Sequence, residues 1–178
     1  MISPRLGSVQ KKQLTSYSPC ESSRRLLIPP SSDERSLSHS YYEHLNPMTS
    51  ILDPALHTKD WVRSHSPFLF SAILAVATKV LRPSAYGPSF RFCNALFGQA
   101  FEHGVCSVEL VQALATFLFW IDTTDPSGAA KLAYAIRSAM DCGMHRQKKR
   151  PLPRDEYQAR LTLSAERTWF YLTIADHR

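Results

Sequence analysis

Hydrophobic residues recur at helical spacing along most of the chain beyond residue 40, and no segment shows the alternation typical of a strand. The most apolar stretch is PFLFSAILAVATKVL, residues 67–81, which is apolar on almost every side. A helix of this kind must be surrounded by other elements, so we expect it to be central. It is shorter than the ~20 residues of a membrane span, and Lys79 interrupts it. The pattern therefore predicts a buried core helix rather than a membrane segment.

Polar residues and glycines mark the predicted ends of the helices. Ser66 and Ser107 stand before apolar runs, and Thr58 precedes the short segment TKDWVRSH, so each hydroxyl can cap a first turn. Pro67 suits the first helical position. Gly104 and Gly143 follow two further runs, where a left-handed residue commonly ends a helix. In YYEHLNP, we expect the proline at position 47 to stop a short helix.

The same spacing assigns an inner face to three of the helices. For the helix before Gly104, the predicted inner residues are Phe90, Cys93, Ala95, Leu96, Phe97, Ala100 and Phe101. For the helix before Gly143, they are Leu132, Ile136, Ala139 and Met140, with Lys131, Ser138 and Asp141 outside. For the last helix, they are Tyr157, Leu161, Ala165, Trp169 and Leu172. Glu156 and Arg160 form an i,i+4 pair in its first turns.

These elements predict an all-α fold, an irregular domain of about five or six helices over residues 41–178. Residues 1–39 are rich in Ser, Pro, Arg and Lys and show little periodicity. A segment of this composition buries too little apolar surface to offset its ordering entropy. We therefore expect a disordered lead over residues 1–39.

Composition and charge narrow the class of protein. The 178 residues fit one domain with a tail, and 44% of them are hydrophobic, enough for a core. The net charge of +6 permits contact with nucleic acid without requiring it. Four cysteines, at positions 20, 93, 106 and 142, are too few and too scattered for a disulfide scaffold, which predicts reduced thiols in an intracellular protein. The first residues have no apolar segment typical of a secretory signal.

Two pairs of residues have the spacing of zinc ligands. Cys142 and His145 are one pair, His103 and Cys106 the other, and the four could bind zinc if the pairs met. Both pairs coincide with helix ends, where the neighbouring glycines have a backbone role and a cysteine behaves as a small apolar residue. We therefore predict no metal ligands and no cofactor in this chain.

The basic segment HRQKKRP, residues 145–151, admits more than one interpretation. As a solvated joint between two helices, it places positive charge at a helix C-terminus, where the dipole favours it. The alternatives are a nuclear-import cluster and a phosphate contact. No glycine-rich phosphate loop and no nucleophile elbow occurs, and Asp122, Asp125 and Asp141 fall near helix ends, where capping explains them. We expect that the chain is not an enzyme.

Three segments carry a resemblance to a known family. They are YYEHLNPMTSILDPALHTKDWVRSHSPFLFSAILAVATKV, VELVQALATFLFWIDTTDPSGAAKLAYAIRSAMDCGMHR and ERTWFYLTIADHR. Together they strongly resemble the regulatory middle region of fungal-specific transcription factors, over residues 41–178. In that family the helix end before the histidine usually reads DLGLH, and here Cys142 and Met144 stand at the two leucine positions.

The resemblance implies a nuclear protein that takes part in RNA polymerase II transcription. Family members usually carry an N-terminal binuclear zinc cluster of six cysteines that binds DNA, commonly as a dimer. Cys20 is the only cysteine before residue 93, so we expect a fragment without that cluster. In the family the regulatory region continues well past the last helix, so the resemblance also implies truncation at the C-terminus. A dimer partner, another transcription factor or a small-molecule effector would act on such a region, and no binding residues can be carried over. The alternative is a free-standing helical interaction module without DNA-binding activity.

The missing cluster generates a first prediction. Because DNA contact in the family runs through the zinc cluster, we expect this chain alone not to bind duplex DNA sequence-selectively. A gel-shift assay at physiological salt with a panel of duplexes measures this. Selective retardation of one duplex over its scrambled version would contradict the prediction.

Overall fold

A computed structural model describes residues 31–121, 125–146 and 151–177, and these ranges are all-helical, without strands. The helices are slightly more numerous than the five or six expected. In chain order they are α1 (Ser31–Ser40), a π-helical turn (Tyr41–Leu45), α2 (Asn46–Thr49), α3 (Lys59–His65), α4 (Pro67–Leu81), α5 (Pro83–Glu102), α6 (Val108–Trp120), α7 (Gly128–Asp141) and α8 (Glu156–Asp176).

Helix α4 occupies the centre, as its all-round apolar sequence predicts. Its residues from Phe68 to Thr78 are buried. Helices α1, α3, α5 and α6 all pack against it, and α6 in turn packs against α7 and α8. Each neighbour thereby covers one side of α4 and removes its apolar surface from water. None of the helices in the described ranges is long and apolar enough to cross a membrane.

The predicted helix ends are confirmed at atomic detail. The hydroxyls of Thr58, Ser66 and Ser107 each accept a hydrogen bond from the backbone N–H three residues later, at the first turns of α3, α4 and α6. Gly104 and Gly143 have φ angles of +61° and +71°. These glycines adopt the left-handed backbone that ends α5 and α7.

The beginning of the fold differs from the prediction in two ways. The predicted disordered lead reached residue 39, but Ser31–Ser40 form α1, whose Leu37 is buried against the core. Residues 1–30 lie outside the described ranges. Pro47 does not stop the helical segment, because it occupies the first turn of α2, where a missing N–H costs nothing. The segment ends instead at Ser50, which has a φ of +50°.

The predicted inner face of α7 holds only in part: Ala139 is buried, Leu132 and Ile136 pack against the core, and Asp141 is exposed, as expected. Lys131 and Ser138, assigned to the outside, are buried, whereas Met140, assigned to the inside, is 41% exposed. The buried positions also include Ala135 and Ala139, two small residues that let α7 approach α6 closely. The prediction failed at Lys131 and Ser138 because it weighted side-chain polarity, whereas the actual face combines small residues with a lysine that finds an anionic partner.

The predicted stripes of α5 and α8 hold only in part. In α5, Ala95 and Phe101 are exposed although the middle of the stripe is buried. In α8, Ala165 and Leu172 are buried, but Tyr157 and Leu161 are 50% and 36% exposed. The first turns of α8 therefore extend beyond the surface that α6 and α7 can cover. The Glu156–Arg160 ion pair is present, at 2.9 Å.

The left-handed backbone of Gly143 leads to a prediction that two matched substitutions test. Gly143→Ala places a Cβ on a left-handed residue, so we expect the free energy of unfolding to fall by about 1 kcal/mol. Gly98→Ala is its control, because Gly98 lies inside α5 with open space around its Cα, and should gain roughly 0.5–1 kcal/mol. Urea unfolding followed by circular dichroism measures both. Equal effects of the two substitutions would contradict the assignment of Gly143 as a left-handed cap.

Candidate functional site

A series of buried, hydrogen-bonded polar groups links the loop before α3 to helices α6 and α8. The backbone N–H of Asp53 donates to Nδ1 of His57 at 3.2 Å, and Nε2 of His57 lies 3.1 Å from Oε1 of Gln112. The amide nitrogen of Gln112 then donates to Oγ of Ser164 at 3.0 Å. His57, Gln112 and Ser164 are all at most 3% exposed. Three segments that are distant in sequence are thus joined by directional hydrogen bonds in the buried interior.

Two arginines of α8 face the carboxylate of Asp53, the first residue in this series of buried polar groups. Oδ2 of Asp53 lies 3.2 Å from Arg160 and 3.6 Å from Arg167. Burial raises the pKa of Asp53, but the hydrogen bonds from the Ala55 N–H and from Arg160, together with the charges of both arginines, outweigh it and lower the pKa. The carboxylate therefore stays ionised and holds α8 to the loop. Because the arginines are about two-fifths exposed, solvent screens these ion pairs substantially.

His57 is held in its neutral form. Burial lowers the pKa of His57, and this effect exceeds the opposing contributions of its hydrogen bonds with Asp53 and Gln112 and of the charges of Glu109 and Asp53. In the neutral ring with the proton on Nε2, Nδ1 accepts from Asp53 and Nε2 donates to Gln112, so both nitrogens have partners. The neutral imidazole thus links the loop to α6 through two hydrogen bonds without carrying charge.

A second buried polar group is the lysine on the inner face of α7. Nζ of Lys131 lies 3.2 Å from a carboxylate oxygen of Asp125, and both side chains are largely buried. The same ammonium sits 5.4 Å from the ring centroids of Phe90 in α5 and Phe117 in α6. Asp125 also accepts hydrogen bonds from the backbone N–H and the hydroxyl of Ser127, the residue directly before α7. The ion pair and the two rings offset the desolvation of the ammonium.

The structure brings together half of each predicted zinc-ligand pair. Sγ of Cys106 and Sγ of Cys142 are 3.1 Å apart, where the segment before α6 meets the end of α7. His145 instead lies against the ring of Trp169 in α8, with centroids 6.0 Å apart. Within residues 31–121, 125–146 and 151–177, no group of three or more His, Cys, Asp or Glu side chains could hold a metal ion. The prediction that the chain has no cofactor stays a prediction.

Several predictions from the sequence concern residues that lie at the surface or outside the described ranges. His145 and Arg146 of the basic segment are exposed, whereas residues 147–150 lie outside the described ranges, as does Asp122. Asp141 pairs with Arg137 along α7 rather than capping a helix. A shallow recess of about 320 Å³ at the end of α8 is lined by Thr173, Ile174 and His177 and is open to solvent. The expectation that the chain is not an enzyme remains untested.

Sequence reasoning missed the two buried polar clusters. Gln112 and Lys131 fall within apolar helical runs, where a lone polar residue could have indicated a buried partner. His57 gave no such indication, because the loop around it has no regular spacing. Only the tertiary structure shows that Asp53 meets α8 across more than a hundred residues of sequence.

The fold and the buried network define an all-helical domain, and comparison with known proteins finds one fungal relative. The chain is 33% identical over 135 residues to Protein priB from the fungus Lentinula edodes. The match covers 74% of this chain and 22% of the relative, so the chain spans about a fifth of that protein's length. No protein-family model and no solved structure matches the chain.

Burial of His57 generates a prediction about pH. The folded-state pKa of His57 is below the ordinary value of about 6.5, so its contribution to stability is complete above that pH and is lost as the pH falls through the folded-state pKa. We expect the free energy of unfolding to decrease from about pH 7.5 to about pH 5. Urea unfolding at a series of pH values measures the slope.

Two matched substitutions test whether His57 causes this dependence of the free energy of unfolding on pH. His57→Gln should flatten the pH dependence, although it also lowers stability at every pH by breaking the network. His44→Gln removes an exposed histidine and should leave the slope unchanged. An undiminished slope in His57→Gln would show that other groups cause the pH dependence.

Proposed function

We propose that the chain is a regulatory helical region of a fungal transcription factor and takes part in RNA polymerase II transcription in the nucleus. The three segments that resemble the family's regulatory middle region support this proposal. The similarity to a fungal protein is consistent with it, although the name of that protein indicates no activity. In a full-length regulator, DNA contact would reside in a zinc cluster, and a protein partner or metabolite would act on the helical region.

The observation that carries the proposal is the contact among the three segments. Asp53 and His57 come from the first segment, Gln112 from the second and Arg167 from the third. In the structure they meet in one continuous set of hydrogen bonds and ion pairs. The three segments on which the resemblance rests thus contact one another within one tertiary arrangement, and this supports the proposal.

The same network suggests how regulation would operate. A single hydrogen bond contributes about 0.5–1.5 kcal/mol net, whereas burying a large apolar side chain contributes about 1.5–3 kcal/mol. The junction of the loop, α6 and α8 therefore costs less to rearrange than the packing around α4, provided that its polar groups have hydrogen-bond partners in the second arrangement. A partner or metabolite that prefers one of two arrangements by a few kcal/mol would shift the population between them.

A second candidate function is a free-standing helical interaction module. The observation in its favour is the apolar surface of α8 that no described element covers, in which Phe170 and Ile174 are 63% and 59% exposed. Large exposed apolar side chains in a cluster are typical of protein-binding surfaces. Such a module would pair with full-length relatives through this surface and titrate them.

A reporter assay in a fungal host tests the first function and separates it from the second. The chain is fused between a heterologous DNA-binding domain and an activation domain, and reporter output is compared with that of the fusion lacking the chain. A regulatory region should lower output several-fold in the same polypeptide. An interaction module should instead act when expressed separately, against a full-length relative, and should lose that effect in Phe170→Ser.

The matched variants are two Gln→Leu substitutions. Gln112→Leu breaks the bonds to His57 and Ser164 and should restore reporter output. Gln158→Leu makes the same change at an exposed position of α8 and should not. Protein amounts are matched by immunoblot, because Gln112→Leu also lowers stability by about 1–3 kcal/mol. Equal output with and without the chain, at equal protein amounts, would overturn the regulatory function.

A further inference from the structure

Two cysteines meet at a junction that the proposed function does not use. Cys106 directly precedes Ser107, the cap of α6, and Cys142 is the C-cap residue of α7. Their sulfur atoms are 3.1 Å apart, and Sγ of Cys106 also lies 3.5 Å from the carbonyl oxygen of Ser138. Cys106 is exposed and Cys142 is half-buried, so small reagents can reach the pair from solvent.

We propose that Cys106 and Cys142 form an oxidation site, at which a peroxide converts the two thiols into a reversible intramolecular disulfide. A disulfide requires a sulfur separation of about 2.05 Å, so the sulfurs need to approach by only about 1 Å. Cys106 lies in the irregular segment before α6, and Cys142 lies in the turn that ends α7, where Gly143 follows it in a left-handed conformation. The two sulfurs can therefore approach by local adjustment of this segment and this turn, without movement of the helices.

A disulfide fits this pair better than a metal ion. Zinc is usually held by four ligands, of which at least three come from the protein. Within the described ranges no third ligand joins the two sulfurs, and His145 is turned toward Trp169. Cys93 cannot substitute for either cysteine, because it is 1% exposed inside the core.

The reaction proceeds in two balanced steps. The sulfur of Cys106 attacks one oxygen of hydrogen peroxide, the O–O bond breaks, and a sulfenic acid and water form. The sulfur of Cys142 then attacks the sulfenic sulfur, the S–O bond breaks, the S–S bond forms, and the oxygen leaves as a second water with the proton of Cys142. Two thiols and one peroxide thus yield one disulfide and two water molecules.

The environments of the two thiols set the order of these steps. Burial raises the pKa of the Cys142 thiol to about 12, with further contributions from Cys106 and from the charges of Glu109 and Asp141. A thiol with this pKa is a poor first nucleophile toward peroxide. The exposed Cys106 therefore reacts first, and its distance of 3.1 Å from Cys142 favours the second step over further oxidation.

Closing this bond would tie the start of α6 to the end of α7. The two cysteines are 36 residues apart in sequence, and the loop between them contains all of α6 and α7. A covalent link across a loop of this size restricts the unfolded chain more than the folded one. We therefore expect the oxidised protein to unfold at a higher temperature than the reduced protein.

Peptide mapping of the full chain tests the proposal. The reduced protein is treated with hydrogen peroxide, remaining thiols are blocked with an alkylating reagent under denaturing conditions, and a protease digest is analysed by mass spectrometry. We expect a Cys106–Cys142 linked peptide, alkylation retained at Cys93, and full reversal by dithiothreitol. The melting temperature should rise on oxidation by on the order of 5–10 °C.

Serine substitutions provide the controls. Cys106→Ser should abolish the linked peptide and the rise in melting temperature, and its exposed position leaves the core untouched. Cys20→Ser should leave both unchanged. Oxidation of Cys106 to a sulfinic acid while Cys142 remains alkylatable would overturn the proposal, and so would a disulfide that links two copies of the chain through Cys106. Because the readout is a bond and a melting temperature, it is independent of any role in transcription.

Discussion

The fold depends on one constraint, which is the need to cover α4 on every side. Its buried stretch from Phe68 to Thr78 leaves no face that could remain in water. Four helices and the π-helical turn surround it, so each of them is placed by its contact with the same apolar cylinder. Helix α1, the first in the described ranges, belongs to this set, and that contact accounts for its helical structure despite a polar sequence. Its Asp33 also pairs with Arg82, directly after α4.

Helices α7 and α8 form a second layer, which α6 separates from the centre of the fold. Polar contacts hold this layer, in contrast to the apolar packing around α4. Helices α7 and α8 pack on α6 and not around α4, and their inner faces carry polar side chains. Lys131 and Ser164 are buried there because Asp125 and Gln112 supply partners within hydrogen-bonding distance. An unpaired buried polar group costs several kcal/mol, but a paired one specifies which helices meet and in what register. The outer layer is therefore held by directional contacts on a scaffold that apolar packing provides.

This division explains what the sequence could predict. Helix ends follow from local chemistry, and the caps at Ser66 and Ser107 and the left-handed glycines at positions 104 and 143 were correctly predicted. The central position of α4 follows from its composition alone. The inner face of α7 does not, because its lysine is buried only by virtue of an aspartate and two phenylalanines from other elements. The network around His57 was equally inaccessible, since Gln112 is separated by more than fifty residues from both His57 and Ser164. Periodicity identifies apolar faces, whereas the partners of buried polar groups are a tertiary property.

Helix α6 connects the two chemical features of the outer layer. Cys106 immediately precedes its cap, and Gln112 lies on its second turn, where it bonds to His57 and Ser164. A change in the position of the first turn of α6 would therefore be transmitted along a rigid helix over a few ångströms to the polar network. Because Cys142 lies beside a second thiol, an oxidation site at this junction would add redox chemistry to a scaffold whose apolar packing does not require it.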